Sequence, residues 1–459
     1  MYSARFTALK SPPNSEYACD VARRVAQVLC YIALLFASAD VWPVLTIGFT
    51  FRLAQPLLIL CIPLLLPILW REPIRTFPGS AWCLLLVIWS IVILPFSLLF
   101  DRSLGYTFWL ANNLLIVFIF VQTFRSSIEI ARLVDALLIS YSALSIFGLV
   151  QLLAGMAGID LLVTEWWYPG KLPRINGLSY EPSFYATYLI NGWVLSNYLV
   201  ADKRSSISPR LLRLCAVLTS VALFASTSRL GWGLMLAWSA LRAVLRLATF
   251  LSGGKSSRRL LRRRIVLGFL ISTVAVTLGI SSRDKIAAAI NSVSFLITGL
   301  GVFGASAISS ETRINGALMT WNAFLAHPLI GSGLGAVPVE IASQLGLSVT
   351  TLDDAKQNEA NSVLLEILAS FGLAGSILIV GFFLRFASQI RAVQPYCSEA
   401  TQSLIRGMMW ALLWSLLALQ FNQNFLRIYV WMDVAILVCI VSGAMPRGNR
   451  VHAIRDSVS

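Results

Sequence analysis

Glu311-Thr-Arg313, then Ala326-His-Pro328-Leu-Ile-Gly331-Ser-Gly333-Leu-Gly335, then Asn358-Glu359-Ala-Asn361 mark one long polar interruption, residues 283–361. An apolar run ends near residue 280 on one side of it, and another starts at Val363 on the other. Most other polar pieces are short connectors. A large extramembrane surface able to do chemistry must therefore come mainly from this segment, with residues 171–183 as its shorter partner.

The runs around it decide the fold class. At 57% hydrophobic, 12% charged and a mean hydropathy of +0.77 over 459 residues, the chain is too apolar for a soluble core. Its apolar runs reach the roughly 20 residues that a helix needs to cross about 30 Å of hydrocarbon, and they lack the dyad alternation of a barrel. The expected fold is all-α, a polytopic membrane helical bundle. Spans are predicted at 25–39, 53–70, 81–100, 106–123, 133–153, 183–200, 214–225, 231–250, 265–280, 363–386, 407–425 and 430–445. This divides the chain into N-terminal transmembrane helices (1–280), a large loop (281–361), and C-terminal transmembrane helices with a tail (362–459). No small-residue cleavage site follows the first basic residues, so the first span is read as uncleaved.

Twelve crossings put both termini on one side, and charge chooses the side. With the termini cytoplasmic, most Lys and Arg fall inside. Only Arg52, Arg102, Lys171, Arg174, Arg229, Arg283, Lys285, Arg313, Lys356 and Arg427 fall outside, the bias of the positive-inside rule. Residues 286–309 are long and apolar enough to cross, but counting them would place Arg391, Arg406, Arg447, Arg450 and Arg455 outside. They are read instead as helices lying in or dipping into the outer interface. The same logic explains the net charge of +15 without nucleic acid: it records topology, and the run Lys255 to Arg264 is an anchor for anionic membrane lipids. The seven cysteines show neither a disulfide framework nor metal-ligand spacing, so no metal is expected.

Several residues of the outer face have chemistry to offer. In Lys171-Leu-Pro-Arg174-Ile-Asn-Gly177-Leu-Ser-Tyr180-Glu181-Pro182-Ser183, Pro182 suits the first turn of a helix, so Glu181 stands at its start. The free amides there, with Lys171, Arg174 and Tyr180 nearby, make a seat for a phosphate, although Glu181 can also simply complement the helix dipole. Arg229, in Ser226-Thr-Ser-Arg229, either snorkels or holds phosphate oxygens with its planar fork. Arg313 heads a helical pattern through Ile314, Ala317, Leu318, Trp321 and Leu325, which Pro328 stops. His327 at that helix end reads as a cap for the last carbonyls or as a ligand of substrate. The Gly331, Gly333 and Gly335 turn lets backbone approach something closely. If a base is needed, it must be found among Glu181, Glu311, Asp353, Asp354 and Glu359.

These residues fall in a familiar order. Arg174-x-x-Gly177-x-x-x-Glu181-Pro182-Ser183, Thr227-Ser-Arg229, Arg313 followed by Trp321, His327-Pro328-Leu-x-Gly331-x-Gly333, and Asn361-Ser362 followed by Gly372-x-x-Gly375 resemble the O-antigen ligase and polymerase superfamily. The resemblance implies a membrane glycosyltransferase with a GT-C-like bundle and one large periplasmic loop in the bacterial inner membrane. Its donor would be a glycan on undecaprenyl pyrophosphate, attacked with inversion and with no cofactor. Arg174, Arg229 and Arg313 would hold the pyrophosphate, and Glu181 or Glu359 would be the base or orienting carboxylate. Ligases that pass O-antigen to lipid A core usually carry histidine where this chain has Asn361, and asparagine cannot act as a base near neutral pH. The resemblance therefore favours a polymerase of O-antigen or exopolysaccharide, with a chain-length regulator and a flippase of the same pathway as possible partners. The ligase is the nearest alternative. A transporter or flippase is a further one, but it should bury ionisable residues at midmembrane and break helices in both halves.

Overall fold

The computed structural model describes residues 13–47, 49–168, 170–251, 305–349, 351–360, 362–421 and 425–444. The predicted span 265–280, the basic run Lys255 to Arg264, nearly all of 286–309, and Asn361 lie outside the described residues. Within them the chain is a helical bundle. The helices are α1 (Pro13–Leu35), α2 (Ala54–Ile59), α3 (Cys61–Arg71), α4 (Ser80–Ile93), α5 (Phe100–Thr123), α6 (Ser127–Met156), α7 (Pro182–Asp202), α8 (Pro209–Ala225) and α9 (Arg229–Leu251). They continue with α10 (Ala305–Ala326), α11 (Val337–Gln344), α12 (Leu352–Gln357), α13 (Val363–Val393), α14 (Glu399–Ala418) and α15 (Ile428–Gly443).

Five of these stretches are long and apolar enough to cross a membrane: Ala54–Arg71, Phe100–Thr123, Ser127–Met156, Arg229–Ala248 and Val363–Tyr396. Two shorter apolar helices, Ser80–Phe96 and Ile428–Gly443, stand beside them. The expected span 81–100 is in fact cut. Pro95 has no amide to continue α4, so a short 3-10 turn closes it and α5 begins at Phe100. The expected 407–425 is shifted instead. Ser398 caps its helix by accepting from the Thr401 amide at 3.2 Å, and the helix ends at Ala418. Two small antiparallel hairpins were also not expected, β1 (Val44–Ile47) with β2 (Phe49–Arg52) and β3 (Glu165–Tyr168) with β4 (Leu172–Arg174).

Helices α6 and α7 run antiparallel through the core. Tyr185 donates to the Leu144 carbonyl at 2.7 Å and Tyr188 meets Ser140 at 2.7 Å. The Tyr141 ring fills the space left by Gly192, where a Cβ would come within 2.4 Å of it. Asp433 of α15, 2% exposed, accepts from Asn191 at 2.6 Å and from Tyr141 at 3.1 Å. A carboxyl this deep is tolerated because both of its oxygens are occupied. Charges gather at the two ends of the bundle. At one end Glu72 takes both Arg23 and Arg125, and Arg204 lies 3.9 Å from Glu399. Gly443 packs against Ile130 near that end, so α6 starts where α15 finishes.

The other end is shaped by a break in α13. Gly372 leaves helical geometry at φ +62°, ψ −166°, which frees carbonyls before it and amides after it. The turn 328–333 takes them up. Ser332 N donates to Ala369 O at 2.9 Å and Gly333 N to Ser370 O at 3.1 Å, while Leu373 N donates to Pro328 O at 2.9 Å and Ala374 N to Leu329 O at 3.2 Å. Trp89 Nε1 adds a bond to Phe371 O at 3.3 Å. Each such group, buried and unpaired, would cost ~1–3 kcal/mol. Helix length fits this position. The 31 residues of α13 run about 46 Å, more than the ~30 Å of hydrocarbon, whereas residues 373–393 run about 31 Å. The part of α13 after the break is thus long enough by itself to cross hydrocarbon.

Candidate active site

Three ionic groups occupy the end of the bundle marked by that break. The first lies just ahead of α13. Glu359 pairs with Arg102 from the first turn of α5, and the Tyr106 hydroxyl lies 3.4 Å from the same carboxylate oxygen. Arg102 Nη2 also donates to Tyr106 at 2.8 Å, with the guanidinium over that ring. Arg102 is 7% exposed, and its Nη1 has no hydrogen-bond partner among the described residues. Burial pushes the Glu359 carboxyl above the usual carboxylate range, more than the neighbouring Arg102 guanidinium pulls it down. Gly335 makes room for this arrangement, since a Cβ there would sit 2.9 Å from the Tyr106 ring.

The second group is built on Asp40, 5% exposed, in the segment between α1 and the β1–β2 hairpin. It pairs with Arg427 just before α15 and, at 2.7 Å, with Arg52. The segment is fixed by backbone bonds from Asp40 and Val41 to the Leu178 carbonyl at 2.8 and 3.0 Å. Arg427 is buried, stacks 4.1 Å from the Phe184 ring centre, and its charge acts on Glu359 as well. It thus joins the first group to the start of α7.

The third group is the corner that the sequence singles out. Arg174, on β4, pairs with Glu165 on β3 and donates from Nε to Thr227 Oγ1 at 2.9 Å. Thr227 sits at φ +52° in the turn that leads into Arg229, and Gly231 brings the start of α9 against Ala186 of α7. Arg229, Lys171, Tyr180 and Glu181 are exposed at this corner. Glu181 is the N-cap residue of α7, as Pro182 predicts, but its carboxylate accepts from the Ser183 hydroxyl at 2.8 Å and from no backbone amide of the helix. It is therefore not a capping group in the strict sense.

Of the remaining residues, His327 ends α10, where its ring meets Glu340 of α11 at 3.0 Å, so it ties two helices together. Arg313 lies on α10, and its side chain is outside the described residues. The close approach expected of the Gly331 turn is to the α13 backbone. No group of three or more His, Cys, Asp or Glu able to hold a metal occurs among the described residues, and all seven cysteines are free. Sequence reasoning did not select Asp40, Arg52, Arg102, Glu165, Glu366 or Arg427. A signal existed for three of them, since Arg52, Arg102 and Arg427 are among the few basic residues that the charge bias assigns to the outer side.

Residues 214–380 match the family model described as O-antigen ligase. Over this stretch the chain is similar to the O-antigen ligase family. The superfamily region takes in the Thr227–Arg229 turn, Arg313, the Gly331 turn and the break at Gly372, so the loop locked into α13 is part of it. Arg102, Arg174, Asp40 and Arg427 lie outside the matched residues and reach the same end of the bundle by packing. No curated protein matches the chain. Members of the matched family are membrane enzymes of the ligase and polymerase type.

Proposed function

We propose that this chain is a polysaccharide polymerase that joins undecaprenyl-pyrophosphate-linked oligosaccharide repeat units at the outer face of the inner membrane. The observation that carries the reading is the junction of Arg174 with Thr227, two residues before Arg229, within a superfamily chain. It gathers guanidinium groups from two distant segments at one corner of the bundle. Guanidinium forks match pyrophosphate oxygens and stabilise the charge that develops on them. In the proposed reaction a hydroxyl oxygen of the acceptor sugar attacks the anomeric carbon of the donor with inversion. The bond from that carbon to the pyrophosphate oxygen breaks, and its electron pair leaves on the lipid pyrophosphate, held by Arg174, Arg229 and Arg313 with Lys171 beside them. The hydroxyl proton passes to a carboxylate, Glu359 or Glu181, of which Glu359 has the raised proton affinity suited to a base. Tyr180 and Asn361 are proposed as further contacts to glycan, whereas His327 is held by Glu340. The fold proposed with this reading has twelve spans, both termini in the cytoplasm and the 281–361 loop in the periplasm.

One observation favours the ligase as a second reading: the description of the matched family itself. A strain lacking this chain separates the two. Accumulation of single lipid-linked repeat units supports the polymerase, loss of glycan from lipid A with polymer retained on its carrier supports the ligase, and unchanged glycans refute both.

A further inference from the structure

The turn between α8 and α9 carries one strained residue. Thr227 stands at φ +52°, in the left-handed region, where a β-branched side chain crowds its own backbone. Glycine takes that conformation at no steric cost, so the threonine has to be explained by its side chain. Its neighbours serve the turn itself. The Ser226 hydroxyl donates to the Leu223 carbonyl at 2.8 Å and accepts from the Ser228 amide at 3.3 Å, and the Ser228 hydroxyl accepts from the Gly231 amide at 3.3 Å. The Thr227 hydroxyl instead leaves the turn and accepts from Arg174 Nε at 2.9 Å, across 53 residues of sequence.

Arg174 is the group that needs holding. Its backbone is fixed on α6: Pro173 packs on Gly155, where a Cβ would come within 2.5 Å of the proline ring, and the Gly177 amide donates to Gln151 at 2.8 Å. Its side chain, 30% exposed, still has several rotatable bonds, and ordering them at the moment of binding costs affinity. Thr227 at Nε and Glu165 at Nη1 set the plane of the guanidinium beforehand and leave Nη2 without a hydrogen bond among the described residues.

We infer that Thr227 is a positioning residue: its hydroxyl, turned out by the left-handed backbone, fixes the Arg174 guanidinium so that Nη2 is presented to a phosphate oxygen beside Arg229. The inference rests on the glycan-transfer reading above, in which Arg174 holds the lipid pyrophosphate, and it gives the backbone strain at Thr227 a purpose. Glu165 holds the same guanidinium but carries a charge that repels phosphate, so Thr227, a neutral acceptor, is the partner compatible with a bound pyrophosphate.

The test uses the purified full chain in lipid nanodiscs, with the lipid-linked repeat unit extracted from the deletion strain as substrate. Thr227→Gly removes the hydroxyl and the strain together. It is expected to leave the thermal midpoint at or above that of the wild type while kcat/KM falls about tenfold, the weight of one hydrogen bond to a charged group. Thr227→Ser keeps the hydroxyl and is expected to restore most of the turnover. Wild-type kcat/KM in T227G overturns the inference, and so does a joint fall of midpoint and turnover, because Thr227 would then be structural. Arg174→Ala separates the inference from the reading beneath it. If R174A is inactive while T227G is fully active, only the positioning role falls; if R174A keeps full turnover, the pyrophosphate role of Arg174 falls and the inference with it. Wild-type protein that transfers nothing refutes the enzyme reading and all that rests on it.

Discussion

Gly331 and Gly372 are docked reciprocally. A Cβ on Gly331 would lie 2.3 Å from the Ser370 carbonyl oxygen, two residues before Gly372, and a Cβ on Gly372 would lie 2.3 Å from the Leu329 carbonyl oxygen, two residues before Gly331. Both glycines have positive φ, +78° and +62°. Four backbone hydrogen bonds cross this contact, so turn and helix break satisfy one another.

Alanine at either position therefore meets a left-handed backbone and a filled space together. Gly331→Ala and Gly372→Ala are each expected to lower stability by ~2 kcal/mol or more and to deplete folded protein in the membrane. Gly346→Ala is the control, at φ +70° with open space around it, and should lose only about 1 kcal/mol. Thermal midpoints read by fluorescence-detected size exclusion rank the three. Equal losses at all three would show that the packing contact contributes nothing.

Asp40 pairs with two arginines of unequal burial. Removing it strands Arg427, and Asp40→Ala or Arg427→Ala is expected to cost about 3–5 kcal/mol, the loss typical of breaking a buried pair. Arg52 keeps a quarter of its side chain exposed, so Arg52→Ala should cost about 1 kcal/mol or less. The same thermal assay decides it. A loss in the Arg52 variant as large as in the Arg427 variant contradicts the assignment.

Glu359 has its proton affinity raised by burial. The folded state therefore holds this proton at pH values where the unfolded chain has released it. Stability from this group is present below the unfolded value and is lost as pH rises through the higher folded one. Activity runs the other way if the ionised carboxylate is the base, so the rising limb of the pH–rate profile should lie above the ordinary carboxylate range. Glu359→Gln should abolish that limb. Its survival would assign the limb to another group.

Arg229 is exposed at its corner. Arg229→Ala is expected to abolish polymer with normal protein level, and Arg313→Ala likewise. Polymer profiles with immunoblots measure both, and full activity in either variant removes that residue from the site. His327→Gln should keep polymer, because the glutamine amide can still donate to Glu340 and the ring is 39% exposed.

The sequence by itself determined the class of the fold, because crossing hydrocarbon is a local demand that a run of apolar residues meets or fails without reference to the rest of the chain. For the same reason it placed Glu181 at the start of α7 through Pro182, and it marked the Gly331 turn as a close approach, since a proline or a glycine constrains its own backbone. The partner of that turn lies some forty residues further on, and no periodicity records it. Arg102 and Arg427 read only as basic residues beside spans and Asp40 was not singled out, and only packing shows that Arg427 and Asp40 share a buried pair while Arg102 turns to Glu359. Ion pairing and burial depend on which distant segments meet, and that was decided by the tertiary structure alone.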